Sequence, residues 1–354
     1  MKKTIAMFLA LAMTAAVSLT GCSSESSKTT TAPASTAAVE TAAAENSTAG
    51  ETTANAEDIY ASDKTVTIIT DADPGNNSDI LTRKWAELFT KYSGCKTMVV
   101  NETASSGIMA MNMLLKEDAD GFTLLQQSQS LPLTVAAGTA PFAGDSVSPL
   151  FGLTNDSMWI TVAADSQYQS IEDLIKACQE NPGKVNGAGN KTKGIVHYWA
   201  CLLMQDMEID FNFIPYDTGN EQITAVLAGD ADFMLLSNNR SSTEVQGGSM
   251  RCLALTGDKH YDVTPDTPTL GELGYENANS VTVWRGMFCK SGTDEAVMDR
   301  LEEINAQIVA DPAWEECVTG MGMSVSNKNR EEFTQAYNDV IEWGKNAFEW
   351  YDNK

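Results

Sequence analysis

From Lys64 onward the chain alternates short β-rich apolar runs with amphipathic stretches, and the alternation restarts partway along. Residues 66–70, 97–101 and 122–127 read as strands. Between them Leu81, Trp85, Leu88 and Tyr92 fall at helical spacing, as do Ile108, Met109, Met113 and Leu114. The second round runs strand 159–164, helix 171–179, strand 185–188, helix 197–204, strand 211–216, helix 222–227 and strands 233–237 and 252–256. A further apolar run at 283–288 leads into a largely helical remainder, with stripes at Leu301, Ile304 and Ile308 and at Phe333, Tyr337, Val340 and Ile341. Strand–helix–strand repetition lets each helix bury one face on a sheet, and it predicts an α/β fold with mainly parallel sheet cores. The 297 residues after position 57 (354 − 57) exceed one comfortable hydrophobic core and predict two lobes. The periodicity alone does not say where the chain crosses between them.

Lys2 and Lys3 precede an apolar run, 5–17, that is short for a bilayer span and has the form of a secretory signal. It ends in Leu19-Thr20-Gly21-Cys22, which resembles the lipobox of bacterial lipoproteins. Residues 1–21 are then removed as a signal peptide and Cys22 is lipidated. Residues 22–57 are Ser, Thr, Ala and Glu with almost no bulky apolar side chain, so burial cannot offset the entropy of ordering them. They are expected to form a disordered linker with a root-mean-square reach of about 30–35 Å. No later run of about 20 apolar residues offers a membrane span. The expected location is extracytoplasmic, at the cell membrane, with membrane contact through the lipid alone.

The formal net charge is −25, and loss of Lys2 and Lys3 with the signal makes it −27 (−25 − 2). Such a field repels nucleic acid and anionic headgroups, which excludes a nucleic-acid partner. Besides Cys22 there are Cys95, Cys178, Cys201, Cys252, Cys289 and Cys317, none in C-x-x-C spacing. No metal or cofactor is therefore expected. An exported location permits disulfides, and their pairing stays open. His197 and His260 have no nucleophile or metal ligand at motif spacing, and neither G-x-S-x-G nor H-E-x-x-H occurs. These absences point to a binding protein, not an enzyme.

Ligands of open α/β sheets sit beyond the carboxyl ends of the strands. Asp71 to Asp79 forms the first such loop, with Pro74 and Gly75 in a turn and Ser78 or Asp79 capping a helix that starts near Ile80. Unpaired N–H groups at that helix start make an anion cradle. A second loop, Gly187 to Gly194, brings Gly, a hydroxyl and two Lys to another strand-to-helix junction, ahead of His197. Either loop alone is also what a capped turn without a ligand looks like. Together, one in each unit, they resemble the two jaws of a cleft.

Further short runs complete the pattern: Asp120-Gly121-Phe122-Thr123-Leu124-Leu125, Pro215-Tyr216-Asp217-Thr218-Gly219, Leu227 to Met234, Thr264 to Leu270, then Trp284 and Gly286. In order and spacing they resemble the periplasmic substrate-binding subunits of tripartite tricarboxylate transporters, the TctC-like or Bug proteins, from about Lys64 to the C-terminus. The resemblance implies a bilobed, type II periplasmic-binding-protein fold, a Venus flytrap with a helical C-terminal return; with the restart of the strand–helix pattern it divides the chain into residues 58–163 with 287–354 as lobe 1 and 164–286 as lobe 2. Such a protein, expected as a monomer, closes on a small organic carboxylate and passes it to membrane-integral permease subunits. The family's Pro-Gly-Gly-x-x-Asp loop falls on Gly75, Asn76, Asn77, Ser78 and Asp79. The second jaw falls on Gly189, Asn190, Thr192 and Gly194, with His197 supporting the loop or lining the ligand. Gln127 and Ser128 contribute after the Asp120 run, and Tyr216 and Asp217 from the later one.

Several positions depart from that pattern. Asn76 and Asn77 stand where relatives often carry Gly, and Asn tolerates left-handed backbone better than most residues. Asp71 and Asp73 flank the cradle, and Asp217 stands where Lys is frequent. Two unit charges about 10 Å apart interact by about 1.7 kcal/mol at an effective dielectric of roughly 20. Several carboxylates at the mouth thus disfavour a di- or trianion and favour a monoanion or a zwitterion such as an amino acid. A binding subunit feeding a sensor kinase, or less simply a secreted enzyme, are the alternatives. Neighbouring genes separate the first of these, and turnover assays the second. Deleting residues 25–55 is expected to leave ligand affinity unchanged in calorimetry, because a linker contributes no packed surface. A large loss of affinity would mean that the segment folds onto the cleft.

Overall fold

The computed structural model describes residues 59, 60 and 63–354. The expected signal segment 1–21, Cys22 and the linker 22–57 lie outside the described residues. Two five-stranded sheets organise the rest. The first contains β1 (Thr65–Thr70), β2 (Lys96–Asn101), β3 (Thr123–Ser128), β4 (Val147–Asp156) and β10 (Val283–Lys290), in the order β2-β1-β3-β10-β4. The second contains β5 (Met158–Ala163), β6 (Asn186–Asn190), β7 (Asn212–Tyr216), β8 (Phe233–Ser237) and β9 (Met250–Leu255), in the order β7-β6-β8-β5-β9. Each sheet has a parallel core of three strands, β2-β1-β3 and β7-β6-β8, completed by antiparallel partners. The expected parallel cores are present, inside mixed sheets.

The helices are α1 (Asn77–Ser93), α2 (Ile108–Lys116), α3 (Ser130–Ala136), α4 (Ile171–Glu180), α5 (Ile195–Asp206), α6 (Gly219–Ala228), α7 (Asn238–Gln246), α8 (Glu276–Asn279), α9 (Glu295–Val309), α10 (Pro312–Gly320) and α11 (Arg330–Asp352). Leu81, Trp85, Leu88 and Phe89 of α1 bury against Leu301 and Ile304 of α9, Trp314 of α10 and the sheet residues Ile68, Phe151 and Met287. The Trp85 indole N–H donates to Asn305 Oδ1 at 2.9 Å, so this wide apolar layer has its polar handle satisfied. Cys95, Cys178, Cys201, Cys252, Cys289 and Cys317 are free thiols, all but Cys317 buried as small core residues.

The lobe boundaries differ from expectation. β5 pairs with β8 and β9, so residues 158–163 belong to the second sheet and the chain first crosses at Ser157, not at Ala164. The return crossing also comes earlier, because Val283 to Gly286 already lie in β10, paired with β3 and β4. β4 itself carries no strand signature: Pro149, Gly152 and Asn155 read as loop residues. Its register with β10 shifts between Arg285 and Gly286 and between Met287 and Phe288, beside Gly152 and Pro149. Bulges of this kind are where a strand accommodates Pro and Gly.

Helix α11 is not confined to the first lobe. Phe333 and Tyr337 pack on Trp284 and Phe288 of β10, while Phe348 and Tyr351 reach the rings of His197 and Tyr198 on α5. His197 is 1% exposed, stacked on Phe348 and tilted against Phe213. Its Nδ1 accepts the Lys193 N–H at 3.2 Å, which requires the neutral tautomer with its proton on Nε2. Burial pushes its pKa down to about 4.

Two outcomes follow from this packing. A Cβ at Gly286 would lie 2.0 Å from Phe333 Cζ and 2.8 Å from the Phe151 carbonyl oxygen. Gly286→Ala is expected to lower the free energy of unfolding by about 1–3 kcal/mol, read by urea denaturation, and an unchanged midpoint would contradict the close contact. The depressed pKa of His197 means that the unfolded chain takes up a proton that the native one refuses. Its contribution to stability is complete above pH 6.5 and is lost as pH falls toward 4. The stability difference between wild type and His197→Gln should shrink by about 2 kcal/mol from pH 7.5 to 5. A pH-independent difference would show that the imidazole titrates normally.

Candidate ligand-binding site

The parallel cores of both sheets point their carboxyl ends toward the segments where the chain crosses. At the end of β1 the chain turns through Asp71–Asn76 into α1. Asn76 caps this helix, its Oδ1 accepting the Asp79 N–H at 3.0 Å, and the helix begins at Asn77. The expected cap at Ser78 or Asp79 and start near Ile80 are thus displaced by one turn. Gly75 has φ +84°, a left-handed position that suits glycine, and its N–H donates to Asp79 Oδ2 at 2.8 Å. Asp79 is 3% exposed and also takes the Asn101 amide at 2.7 Å and Arg83 at 2.9 Å. Burial works against its charge, but these donors hold the carboxyl below its usual pKa. Asp79 is consumed in holding the turn. What the turn presents instead are exposed Asn77 and half-buried Ser78, whose N–H groups no preceding helical turn can satisfy.

Arg285, at the start of β10, stands beside this helix start. Its Nε donates to Ser78 Oγ at 3.0 Å, and its Nη1 to Asp156 Oδ2 at 2.9 Å and Thr154 Oγ1 at 3.3 Å. Asp156 is fully buried at the first crossing and also accepts the Ser324 N–H. Burial raises its pKa, and Arg285 pulls it back. At the end of β3, Gln127 is buried, with Oε1 accepting from the Ser128 N–H at 2.9 Å and from Ser130 Oγ at 3.3 Å. Ser128 is half-buried and shares a hydroxyl contact of 2.9 Å with Ser130.

In the second sheet β6 continues through Asn190, so Gly189 is strand, not loop. A Cβ there would come within 2.3 Å of the Phe213 ring and 2.9 Å of Val196. Packing against Phe213 and Val196 therefore requires glycine at this position. The loop proper is Lys191–Gly194, with φ +29° at Lys191 and +62° at Lys193, conformations that non-glycine residues hold only under constraint. Thr192 is exposed there, Asn190 and Gly194 half-buried. His197 buttresses the loop from beneath through Lys193 and is enclosed by aromatic rings, so it supports the loop and does not line the gap. Tyr216 ends β7 opposite Asn190, and Asp217 is exposed, its N–H donating to Glu221 as α6 begins.

Charge from both sheets reaches Asp71. Burial raises the Asp71 carboxyl's pKa, opposed by the Gln127 amide, by Arg285 on its own sheet and by Lys191 from the other. Arg285 was not singled out from sequence, although a lone cation inside the apolar run 283–288 is a readable signal. A separate cavity of about 540 Å³ lies along the crossing segments, lined by Asn155, Thr256, Lys259, Ser280, Thr282 and Lys328, and contains none of the expected residues. Among the described residues no helix is long and apolar enough to cross a membrane.

Comparison with known proteins identifies the fold and the family. Residues 81–347 match the Tripartite tricarboxylate transporter family receptor profile, TctC. A UPF0065 protein from the tcbD-tcbE intergenic region of Pseudomonas sp. strain P51 is 26% identical over 292 residues, 81% of this chain and 86% of the relative. A TctC solute binding protein from Polaromonas superposes with a TM-score of 0.73 at 19% identity, over 80% of this chain and 98% of that one. MatC from Rhodopseudomonas palustris, solved with bound malate, superposes with a TM-score of 0.63 at 18% identity, over 80% and 98%. The two mixed sheets are those of the periplasmic-binding-protein fold, and the chain belongs to the tripartite tricarboxylate transporter family of receptors.

Proposed function

We propose that this receptor captures a small organic carboxylate outside the cytoplasm and delivers it to the membrane-integral subunits of a tripartite tricarboxylate-type transporter. Cys22 holds it to the membrane as a lipoprotein, and the chain acts as a binding protein without catalysis. What supports this reading is a strand-to-helix loop at the carboxyl end of each parallel core, with the field of Lys191 on the second reaching Asp71 on the first. The first presents the unsatisfied N–H groups of Asn77 and Ser78 with Arg285 beside them, and the second is the constrained Lys191–Gly194 loop. Helix N-termini carry partial positive charge, so a carboxylate placed there is held by oriented donors without a buried counter-charge of its own.

Gln127 and Ser128 add polar groups at the floor, and Asn190, Tyr216 and Asp217 at the opposite rim. MatC, which shares the fold, was solved with malate, a small carboxylate, and this supports the ligand class. The acidic residues Asp71, Asp73 and Asp217 favour a monoanion or a zwitterion. Thermal-shift screening of organic acids and amino acids identifies the ligand, because saturation at about 100 times the dissociation constant adds about 2.7 kcal/mol of stability.

Asn77→Asp sets a carboxylate where the ligand's carboxylate is held. It is expected to weaken binding by at least about 1.5–3 kcal/mol in calorimetry, the worth of one charge-assisted hydrogen bond. Full affinity in this variant would remove the α1 loop from the site. Asp217→Lys should strengthen the binding of dianions selectively, and equal effects on mono- and dianions would place Asp217 outside the ligand's field.

A further inference from the structure

Asp71 is the one acidic group of the first loop that is partly withdrawn from water without an ion-pair partner among the described residues. Asp79 is consumed by Gly75, Arg83 and Asn101, and Asp156 by Arg285 and the Ser324 N–H. Asp73 is exposed, where water satisfies it. Asp71 is half-buried and forms no ion pair among the described residues, although the fields of Arg285 and Lys191 reach it from the two sides of the gap. Arg285 is already committed to Asp156, Thr154 and Ser78.

The setting of Asp71 is also built. Gly107, at φ +87°, leaves the space that the Asp71 carboxylate and the Gln127 amide occupy: a Cβ there would lie 2.3 Å from Gln127 Nε2 and 3.0 Å from Asp71 Oδ2. Gln127 is 1% exposed, and its Nε2 makes no well-formed hydrogen bond among the described residues. A carboxylate withdrawn from water without a cation is unfavourable, and a ligand that brings a positive donor relieves it. A ligand that brings a second carboxylate worsens it.

Resting on the receptor reading above, we propose that Asp71 is the specificity-determining residue of the site and accepts the ammonium group of a zwitterionic ligand whose carboxylate lies at the start of α1. The class selected is amino acids, over hydroxy acids and dicarboxylates of the same skeleton. The carboxylate is read by Asn77, Ser78 and Arg285, and the ammonium by Asp71.

The test uses the full chain and matched probes: the common amino acids, each beside its 2-hydroxy-acid counterpart (L-aspartate with L-malate, L-alanine with L-lactate), and 6-aminohexanoate beside adipate. Dissociation constants are measured by calorimetry for wild type and for the isosteric Asp71→Asn. In wild type the amino member of each binding pair is expected to bind at least about tenfold tighter, and Asp71→Asn to reduce that ratio at least about tenfold, within the range of one charge-assisted hydrogen bond. The wild-type comparison stands even if the variant fails to fold. Hydroxy acids or dicarboxylates that bind as tightly as their amino counterparts overturn the assignment and leave the receptor intact, as does a ratio that survives in Asp71→Asn. No binding by any probe overturns the assignment and the receptor reading together.

Discussion

Strand β10 enters the first sheet between β3 and β4, so that sheet is complete only after the chain has built the second and returned. Everything near the gap depends on this insertion. Gly286 in β10 is bare so that Phe333 of α11 can lie on it, and Arg285, one residue earlier, meets both α1 and the buried Asp156 at the opposite crossing. One guanidinium thereby ties the start of α1 to both crossing segments. Removing either partner of such a buried pair leaves an unpaired charge, which is far more damaging than the pair is stabilising. The arrangement serves alignment more than stability.

Charge is distributed across the gap with the same economy. The chain is strongly acidic, yet near the first loop Asp79 and Asp156 are held by backbone N–H groups, an amide or guanidinium groups, and Asp73 is exposed to water. That leaves Asp71 as the acidic group withdrawn from water without an ion-pair partner among the described residues. On the second sheet the lysine-bearing loop is kept in unfavourable backbone angles and is supported by an uncharged His197 enclosed in aromatic rings. Lys193 also pairs with Asp352 at 2.8 Å, which couples that loop to the end of α11. Because α11 packs on β10 at one end and on α5 at the other, it is the element through which movement of one sheet would be felt by the other.

The parallel cores were legible because each strand is a short apolar run and each covering helix a stripe at 3.6-residue spacing, as with Leu81, Trp85 and Leu88. β4 was not legible, since Pro149 and Gly152 sit at register shifts that only the partner strand reveals. Helix α7 was missed for a related reason: its sequence of Asn, Ser, Thr and Glu buries only Asn238 and Ser241 and leaves no stripe. The loops were found from turn residues, but their chemistry was only half visible. Sequence placed Asp79 and Gly189 in the ligand set without revealing their local tasks, the hydrogen bonds that Asp79 accepts within its turn and the close contact of Gly189 with Phe213. Arg285 stayed hidden because its function comes from residues 129, 131 and 207 positions away in the chain.

The most direct test of the two-jaw site is a crystal structure of the full chain with the compound that stabilises it most against heat. The expected result is ligand density between the Asn77 and Ser78 amides on one side and the Lys191–Gly194 loop on the other, with a carboxylate at the start of α1. Density confined to the cavity along the crossing segments, near Lys259 and Lys328, would contradict it.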